Sequence, residues 1–294
     1  MDVSIVIINY NTFQLTCNCI RSVIAFTKGV SYEIILVDNA SIECDPENFK
    51  TEFPEIILIK SPTNGGFAFG NNLGVEKASG DFILLLNSDT VLIEDAISAS
   101  VNFALQNGSA GVVGCRMVYP DNTIQYTARR FRSISWELLD LFRFIPLMMP
   151  YKKRASLMLG KYFRHDENTV CDWVNGAFFL IPKSILAKLT DNKLDDRFFM
   201  YGEDHLWCEQ IKNCGYQILF YAGATIIHIN SGSTDISKRL SLKKIMLRHE
   251  LEIMQLRKGK GLYYYSFAAI YTLKEFFRNL VKALIFRFSG KLAR

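Results

Sequence analysis

The chain has 294 residues, 49% hydrophobic and 21% charged, which suits one large α/β domain with an appendage and allows a substantial core. Its seven cysteines are odd in number and scattered without a C-x-x-C pair, which excludes a disulfide framework or zinc site and reads as reduced cytosolic thiols. The net charge of +5 is unevenly spread: from Ile236 onward 14 Lys/Arg face 3 Asp/Glu, a basic tail of +11 on a body of −6.

The chain opens directly on "VSIVIINY", without a basic n-region or cleavage site, so no signal peptide is expected. The runs "VSIVIINY" (3–10), "YEIILVDNA" (32–40), "EIILIKSP" (55–62) and "DFILLLNSD" (81–89) are short, continuous and rich in Ile, Leu and Val. Such runs predict strands of a mainly parallel sheet covered on both faces. Segments of helical length lie between them, at 13–26, 45–52, 66–78 and 93–106. The expected fold class is α/β, a doubly wound, mainly parallel sheet with helices on both faces.

After "AGVVGCRMVYP" (110–120), Asp121-Asn122 predicts a hairpin turn. Residues 131–168 lose the regular alternation and read as a helical insertion or a loop near the substrate. "VCDWVNGAFFLIPK" (170–183) predicts a strand, "EDHLWCEQIKNCGY" (203–216) a helix closed by Gly215, and "QILFYAGATIIHI" (217–229) a pair of strands around Gly223. The domain reading is 1–235 for the catalytic body and 236–294 for a basic, helical C-terminal region.

Ligands of open α/β sheets bind beyond the carboxyl ends of the strands. There the chain places Asn9, Tyr10 and Asn11, then Asp38 and Asn39, then Asn64, Gly65 and Gly66, then Asn87, Ser88 and Asp89. Any one group is explained by turn chemistry alone, but four in succession point to a shared site. A dinucleotide fold requires G-x-G-x-x-G in the first βα turn. That turn is "NYNTF", so an NAD site is excluded, and no Gly-Lys-Ser/Thr makes a P-loop of "NGGFAFGNNLG" (64–74).

Asp38 reads equally as a turn residue or as an acceptor for the imide N–H of uracil or thymine. Asp89 ends the oily run "LLLNSDT" either as a helix cap or as a ligand for a hard divalent cation. A cation needs a second ligand, and the candidate is His228 in "ATIIHINSGS"; alone, such a strand histidine is more often a core residue. Glu203 and Asp204 open a helix, where acids favour the dipole. A carboxylate fixed there among the aromatics of "DDRFFMYGED" also suits a general base.

The blocks "SIVIINYN", "ILVDNAS", "NGGFAFGNNLG", "LLLNSDT", "DWVNGAFFLIPK", "FFMYGEDHLWCEQIKNCGY" and "HINSGS" stand in the order and spacing of family 2 glycosyltransferases. Residues 1–235 resemble in particular the rhamnosyltransferase-like members of bacterial surface-polysaccharide synthesis. The resemblance implies a GT-A fold and an inverting transfer from a UDP- or dTDP-sugar, with rhamnose as the sugar. It also implies a saccharide acceptor linked to a polyprenyl diphosphate, and Mg²⁺ or Mn²⁺ as cofactor. It places Asp38 at the base with Asn9, Tyr10 and Asn11 around it, and Asn64, Gly65, Gly66, Asn71, Asn87 and Ser88 along the nucleotide-sugar. Asp89 and His228 become the metal ligands, with Asn87 replacing the first acid of D-x-D. Asp204 becomes the catalytic base with Glu203 its neighbour, and Trp173 and Gly176 flank the acceptor. The family often reads E-D-x-D-L-C in this helix, and here Leu206 replaces the later acid while Gln210 replaces a basic residue.

The tail reads as a basic amphipathic region for an anionic membrane surface. Lys274, Arg278 and Lys282 share one helix face, opposite Leu273, Phe277, Leu280 and Leu284, with further charges at Lys238, Arg239 and Arg287. Its alternative is a helix packed on the body or on another subunit, and a homodimer stays open. No RNA-binding motif accompanies the charge, so nucleic acid is not expected as a partner. The expected location is cytoplasmic, peripheral at the inner face of the cell membrane. A catalytically silent nucleotide-sugar or glycan-binding module is the competing function; a nucleotidyltransferase would need a basic glycine-rich loop that "NYNTF" lacks.

Overall fold

The structure, a computed structural model, describes residues 1–229 and 236–289, and for 236–240 and 282–289 the backbone alone. The side chains of Lys238, Arg239, Lys282, Leu284 and Arg287, part of the tail reading, therefore lie outside the described residues.

The chain begins β1 (Val3–Asn9), α1 (Phe13–Phe26), β2 (Tyr32–Asp38), α2 (Glu47–Glu52), β3 (Ile57–Lys60), α3 (Phe67–Val75) and β4 (Phe82–Asn87). It continues with β5 (Thr90–Leu92), α4 (Ala96–Gln106), β6 (Ala110–Val118), β7 (Ile124–Gln125), α5 (Ile134–Leu141), α6 (Phe144–Met148) and α7 (Tyr151–Met158). Then follow β8 (Thr169–Cys171), β9 (Phe178–Pro182), α8 (Lys183–Leu186), α9 (Glu203–Asn213), β10 (Gln217–His228), α10 (Ile236–Lys258) and α11 (Leu262–Ser289).

Two compact units emerge: 1–130 with 159–233, and 131–158 with 234–294. The insertion at 131–158 thus groups with the C-terminal helices and not with the body in which the sequence placed it, and 159–168 stays with the body.

In the first unit one mixed sheet runs β3-β2-β1-β4-β9-β6-β10-β5, with β7 on β6 and β8 on β10. The first four strands are parallel, because each is closed by a helical crossover. Val3, Ile5, Val6 and Ile7 are fully buried on both faces, as the continuous apolar run predicts. α1 covers one face with Cys17, Ile20 and Val23. On the other, Gly74 lets α3 press onto β1: a Cβ there would stand 2.4 Å from Val6 Cγ1. β9 is antiparallel to β4, and Asn122 takes a left-handed φ of 63° in the hairpin between β6 and β7.

Two local expectations change. "QILFYAGATIIHI" makes one strand, β10, whose pairing with β6 skips from Tyr221 to Thr225. The chain absorbs Ala222–Ala224 as an irregularity and does not turn back, because β6 continues beneath it. Trp173 and Gly176 lie in the connection between β8 and β9, not on a strand, since Asp172 and Trp173 donate their amides to Arg129 O.

In the second unit, α5 starts on Ser133, whose Oγ accepts from Trp136 N at 3.1 Å. Met254, Phe267 and Tyr271 form its apolar core. Among the described residues no helix is long and apolar enough to cross a membrane.

Candidate active site

The carboxyl rim of β1 and β2 is a single hydrogen-bonded cluster. Asn9, 1% exposed, donates Nδ2 to Asp38 Oδ1 (2.8 Å) and Ser41 Oγ (2.9 Å), while its Oδ1 accepts from Thr12 and Thr16. Asp38 is equally buried, and its Oδ2 accepts from Ser41 N at 3.0 Å. Both its oxygens are engaged, and each keeps a second lone pair. Asn11, at φ 52°, braces the neighbouring loop by accepting from the amides of Ile42 and Glu43. Tyr10 is half exposed beside them. Ser41 was not legible as a site residue, because it carries no signal beyond an ordinary turn serine.

At the end of β3, Asn64 Oδ1 accepts from Asn39 Nδ2 (2.8 Å) and Gly66 N (3.0 Å). Gly66 has a φ of 92°, and a Cβ there would stand 2.2 Å from Phe199 O, so only glycine fits. A Cβ on Gly65 would strike the Phe69 ring. Asn71, on α3, donates to Phe67 O at 2.9 Å.

At the end of β4, Asn87 N donates to Ala177 O, and Ser88 Oγ lies 3.3 Å from Thr12 Oγ1. The capping question is settled against Asp89: α4 starts on Asp95, whose Oδ1 accepts from Ser98 N at 3.1 Å. Asp89 faces His228 instead, Oδ1 to Nε2 at 3.2 Å. They meet because β10 runs antiparallel to β5 with His228 opposite Thr90.

A buried side chain not singled out from the sequence sets the chemistry of this corner. Gln125 donates Nε2 to His228 O (2.6 Å), which leaves its Oε1 to face His228 Nδ1 at 2.8 Å. Nδ1 therefore carries the proton in neutral imidazole, and Nε2 turns a lone pair toward a carboxylate oxygen. A proton on Nε2 or a bound cation satisfies both atoms, and an imidazole nitrogen beside a carboxylate is a donor set that can hold a divalent cation. Among the described residues no cluster of three His, Cys, Asp or Glu forms. A cation here would take its remaining ligands from water and phosphate oxygens, as Mg²⁺ commonly does. Gln125→Leu is expected to lower Mn²⁺ affinity about 10–100-fold in calorimetric titration without donor, because the tautomer is no longer fixed.

Glu203 and Asp204 begin α9 after Gly202, at φ 100°. Asp204 accepts from His205 N at 2.8 Å and from Gly176 N at 3.2 Å. Gly176 thus ties the acid to the loop whose next carbonyl holds Asn87. Burial raises the Asp204 carboxyl above its ordinary range, and it raises Glu203 too, with the Asp204 charge adding to the effect. Trp173 stacks on the buried His205 ring at 5.5 Å, with the Arg129 guanidinium 4.9 Å from the Trp173 ring. The amides of Gly176 and His205, and then the Arg129 charge, oppose that rise at Asp204 without cancelling it. Only the basic run "ARRFR" hinted at Arg129.

The two departures in α9 are absorbed by packing. Leu206 is buried, and Gln210 donates to Asp195 at 3.0 Å. Three buried oxygens at the rim, Asn71 Oδ1, Asn87 Oδ1 and Glu203 Oε2, have no partner among the described residues. Each such group costs about 1–3 kcal/mol unless something else satisfies it.

A mixed, mostly parallel sheet with its polar side chains at the carboxyl rim and helices following at the C-terminus is the GT-A fold of glycosyltransferases. The glycosyl transferase family 2 model matches residues 4–172, more than half of the chain, and the chain belongs to that family. It is 24% identical over 237 residues to the O-antigen biosynthesis protein RfbC of Myxococcus xanthus, covering 79% of this chain and 17% of that protein. It is 20% identical over 212 residues to an N-acetylglucosaminyl-diphospho-decaprenol L-rhamnosyltransferase of Mycobacterium tuberculosis, covering 68% of this chain and 67% of the other. A mannosyltransferase from Pyrobaculum calidifontis, solved with GDP-Man and Mn²⁺, superposes with a TM-score of 0.63 at 13% identity, over 99% of this chain and 76% of that one.

Proposed function

We propose that this glycosyltransferase moves a sugar, with inversion, from a UDP- or dTDP-sugar to a lipid-linked saccharide in cell-surface polysaccharide synthesis, with rhamnose as the sugar. The observation that supports the reading is the joining of Asp204 to the β4 turn through Gly176 and Ala177, which brings this acid and the Asn87–Asp89 turn to one rim.

Asp204, raised by burial and held at a helix start, takes the proton from an acceptor hydroxyl as that oxygen attacks the anomeric carbon. One in-line displacement needs one base and no nucleophilic carboxylate, and it inverts the centre. Asn71 and Asn87 offer donor hydroxyls their side-chain oxygens, which no described residue satisfies. Asp38, set by Asn9 and Ser41, presents its remaining lone pairs to the imide N–H of a pyrimidine. Trp173 and Gly176 form the acceptor side. A divalent cation held by Asp89 and His228 would supply charge neutralisation to the diphosphate leaving group.

The Mycobacterium tuberculosis relative, named for a decaprenol-linked substrate, supports a polyprenyl-diphosphate-linked acceptor. That acceptor and the basic C-terminal region support a place at the inner face of the membrane.

The test is a thermal-shift screen of UDP-, dTDP- and GDP-sugars with and without Mn²⁺. A ligand at 100 times its Kd stabilises the fold by about 2.7 kcal/mol, so the pyrimidine donors should raise Tm and GDP-sugars should not. No shift with any nucleotide-sugar, or a shift with GDP-sugars alone, would count against the reading.

A further inference from the structure

Beside its small apolar core, the second unit buries charge on α5 and α11 and leaves apolar side chains outside. On α5, Glu137 is fully buried and Asp140 nearly so, while Leu138 and Leu141, with Phe142 just beyond, are exposed. On α11, Lys274 is 1% exposed. Its ammonium pairs with Glu137 Oε2 and lies 3.0 Å from Asp140 Oδ2, which Arg278 also meets at 2.8 Å. Arg132 completes the cluster on Glu137 Oε1 at 2.7 Å. Leu273, Phe276, Phe277 and Leu280, spaced i, i+3, i+4 and i+7, lie on another face of the same helix and are all exposed, as is Val281, one turn beyond Phe277. Phe276 is 60% exposed and Met148, at the end of α6, 82%.

A helix in water hides its apolar face and shows its charges. Ionisable groups turned inward and paired with one another, under an apolar exterior, are the arrangement that suits hydrocarbon outside. Large apolar side chains exposed together along one helix mark an interaction surface. Charge selects the partner: residues 131–158 and 234–294 hold 19 Lys/Arg against 6 Asp/Glu, a net of +13. Lys152, Lys153, Lys243, Lys244 and Arg248 are among the exposed ones. A second copy meeting it through the same face would bring +13 against +13, whereas an anionic surface is complementary.

We propose that α6 and the apolar face of α11 dock on an anionic phospholipid bilayer and lie in its interface, with Phe144, Leu147 and Met148 entering the acyl region. No described helix is long and apolar enough to span, so the contact is in-plane, to a depth of about 5–10 Å. The inference deepens the membrane contact proposed above by naming the inserting side chains, those of α6 lying outside the basic tail, and it does not depend on the donor sugar.

The test is flotation of the full chain with vesicles of phosphatidylglycerol and phosphatidylcholine, and of phosphatidylcholine alone. The wild type should float with the anionic vesicles. The Phe144→Glu/Leu147→Glu variant should bind at least about tenfold more weakly, with its nucleotide-induced thermal shift intact as proof of folding. Emission of Phe144→Trp/Trp136→Phe should be quenched by brominated acyl chains.

Binding that the glutamates leave unchanged, with no bromine quenching, would overturn insertion and leave a purely electrostatic membrane contact. Absence of binding by the wild type to both vesicles would overturn the membrane contact as well. A wild-type dimer that the glutamates dissociate, without vesicle binding, would assign the face to a second copy and overturn the proposal.

Discussion

Asp204→Asn is expected to lower kcat for sugar transfer by about 10²–10⁴-fold, the usual range for loss of a positioned base. Nucleotide-sugar affinity, read by calorimetry, should stay within about threefold, because the amide keeps the size of the side chain and loses only the proton acceptor. The pH profile carries a second signature. A base works ionised, and burial raises both Asp204 and Glu203 above the ordinary carboxylate range. Activity should therefore fall as pH drops through those raised values, at a pH above that of an ordinary carboxylate. The limb belongs to the pair, since the charge of one acid raises the other. Wild-type activity in Asp204→Asn would remove the base assignment and favour a silent binding module.

The second large effect is expected at the β4–β10 corner. Asp89→Asn and His228→Ala should each weaken Mn²⁺-dependent UDP binding by about tenfold or more, equivalent to about 1.4 kcal/mol or more. EDTA should weaken UDP binding to the wild type and leave the two variants nearly unchanged, because they lack what the chelator removes. The reason is local: Gln125 holds the Nδ1 proton, so Nε2 and the Asp89 carboxylate offer two electron pairs within 3.2 Å. Equal UDP affinity with and without Mn²⁺ in the wild type would remove the cation from this corner.

Much of the first unit was legible because its signals are local. Continuous Ile/Leu/Val runs report strands buried on both faces, and Val3–Asn9, Tyr32–Asp38 and Phe82–Asn87 form where those runs lie. Turn chemistry marked the rim, and ordered motifs identified the family. The cluster around Asn9, Asp38 and Ser41 was only half visible, since hydrogen bonds between loops some 30 residues apart leave no periodic trace. Gln125 left none either, being one amide in a two-residue strand opposite β6.

By itself the sequence determined the first four strands and the helices between them, where the polar rim lies, and that α11 has two unlike faces. The tertiary structure decided which groups meet. Asp89 and His228, about 140 residues apart, join only because β10 carries its irregularity between Tyr221 and Thr225 and still ends opposite β5. It also decided which face of α11 turns inward. Periodicity states that charged and apolar residues lie on opposite sides, and the same spacing serves either orientation. Only the carboxylates of α5, which meet Lys274 in the interior, set the apolar side outward.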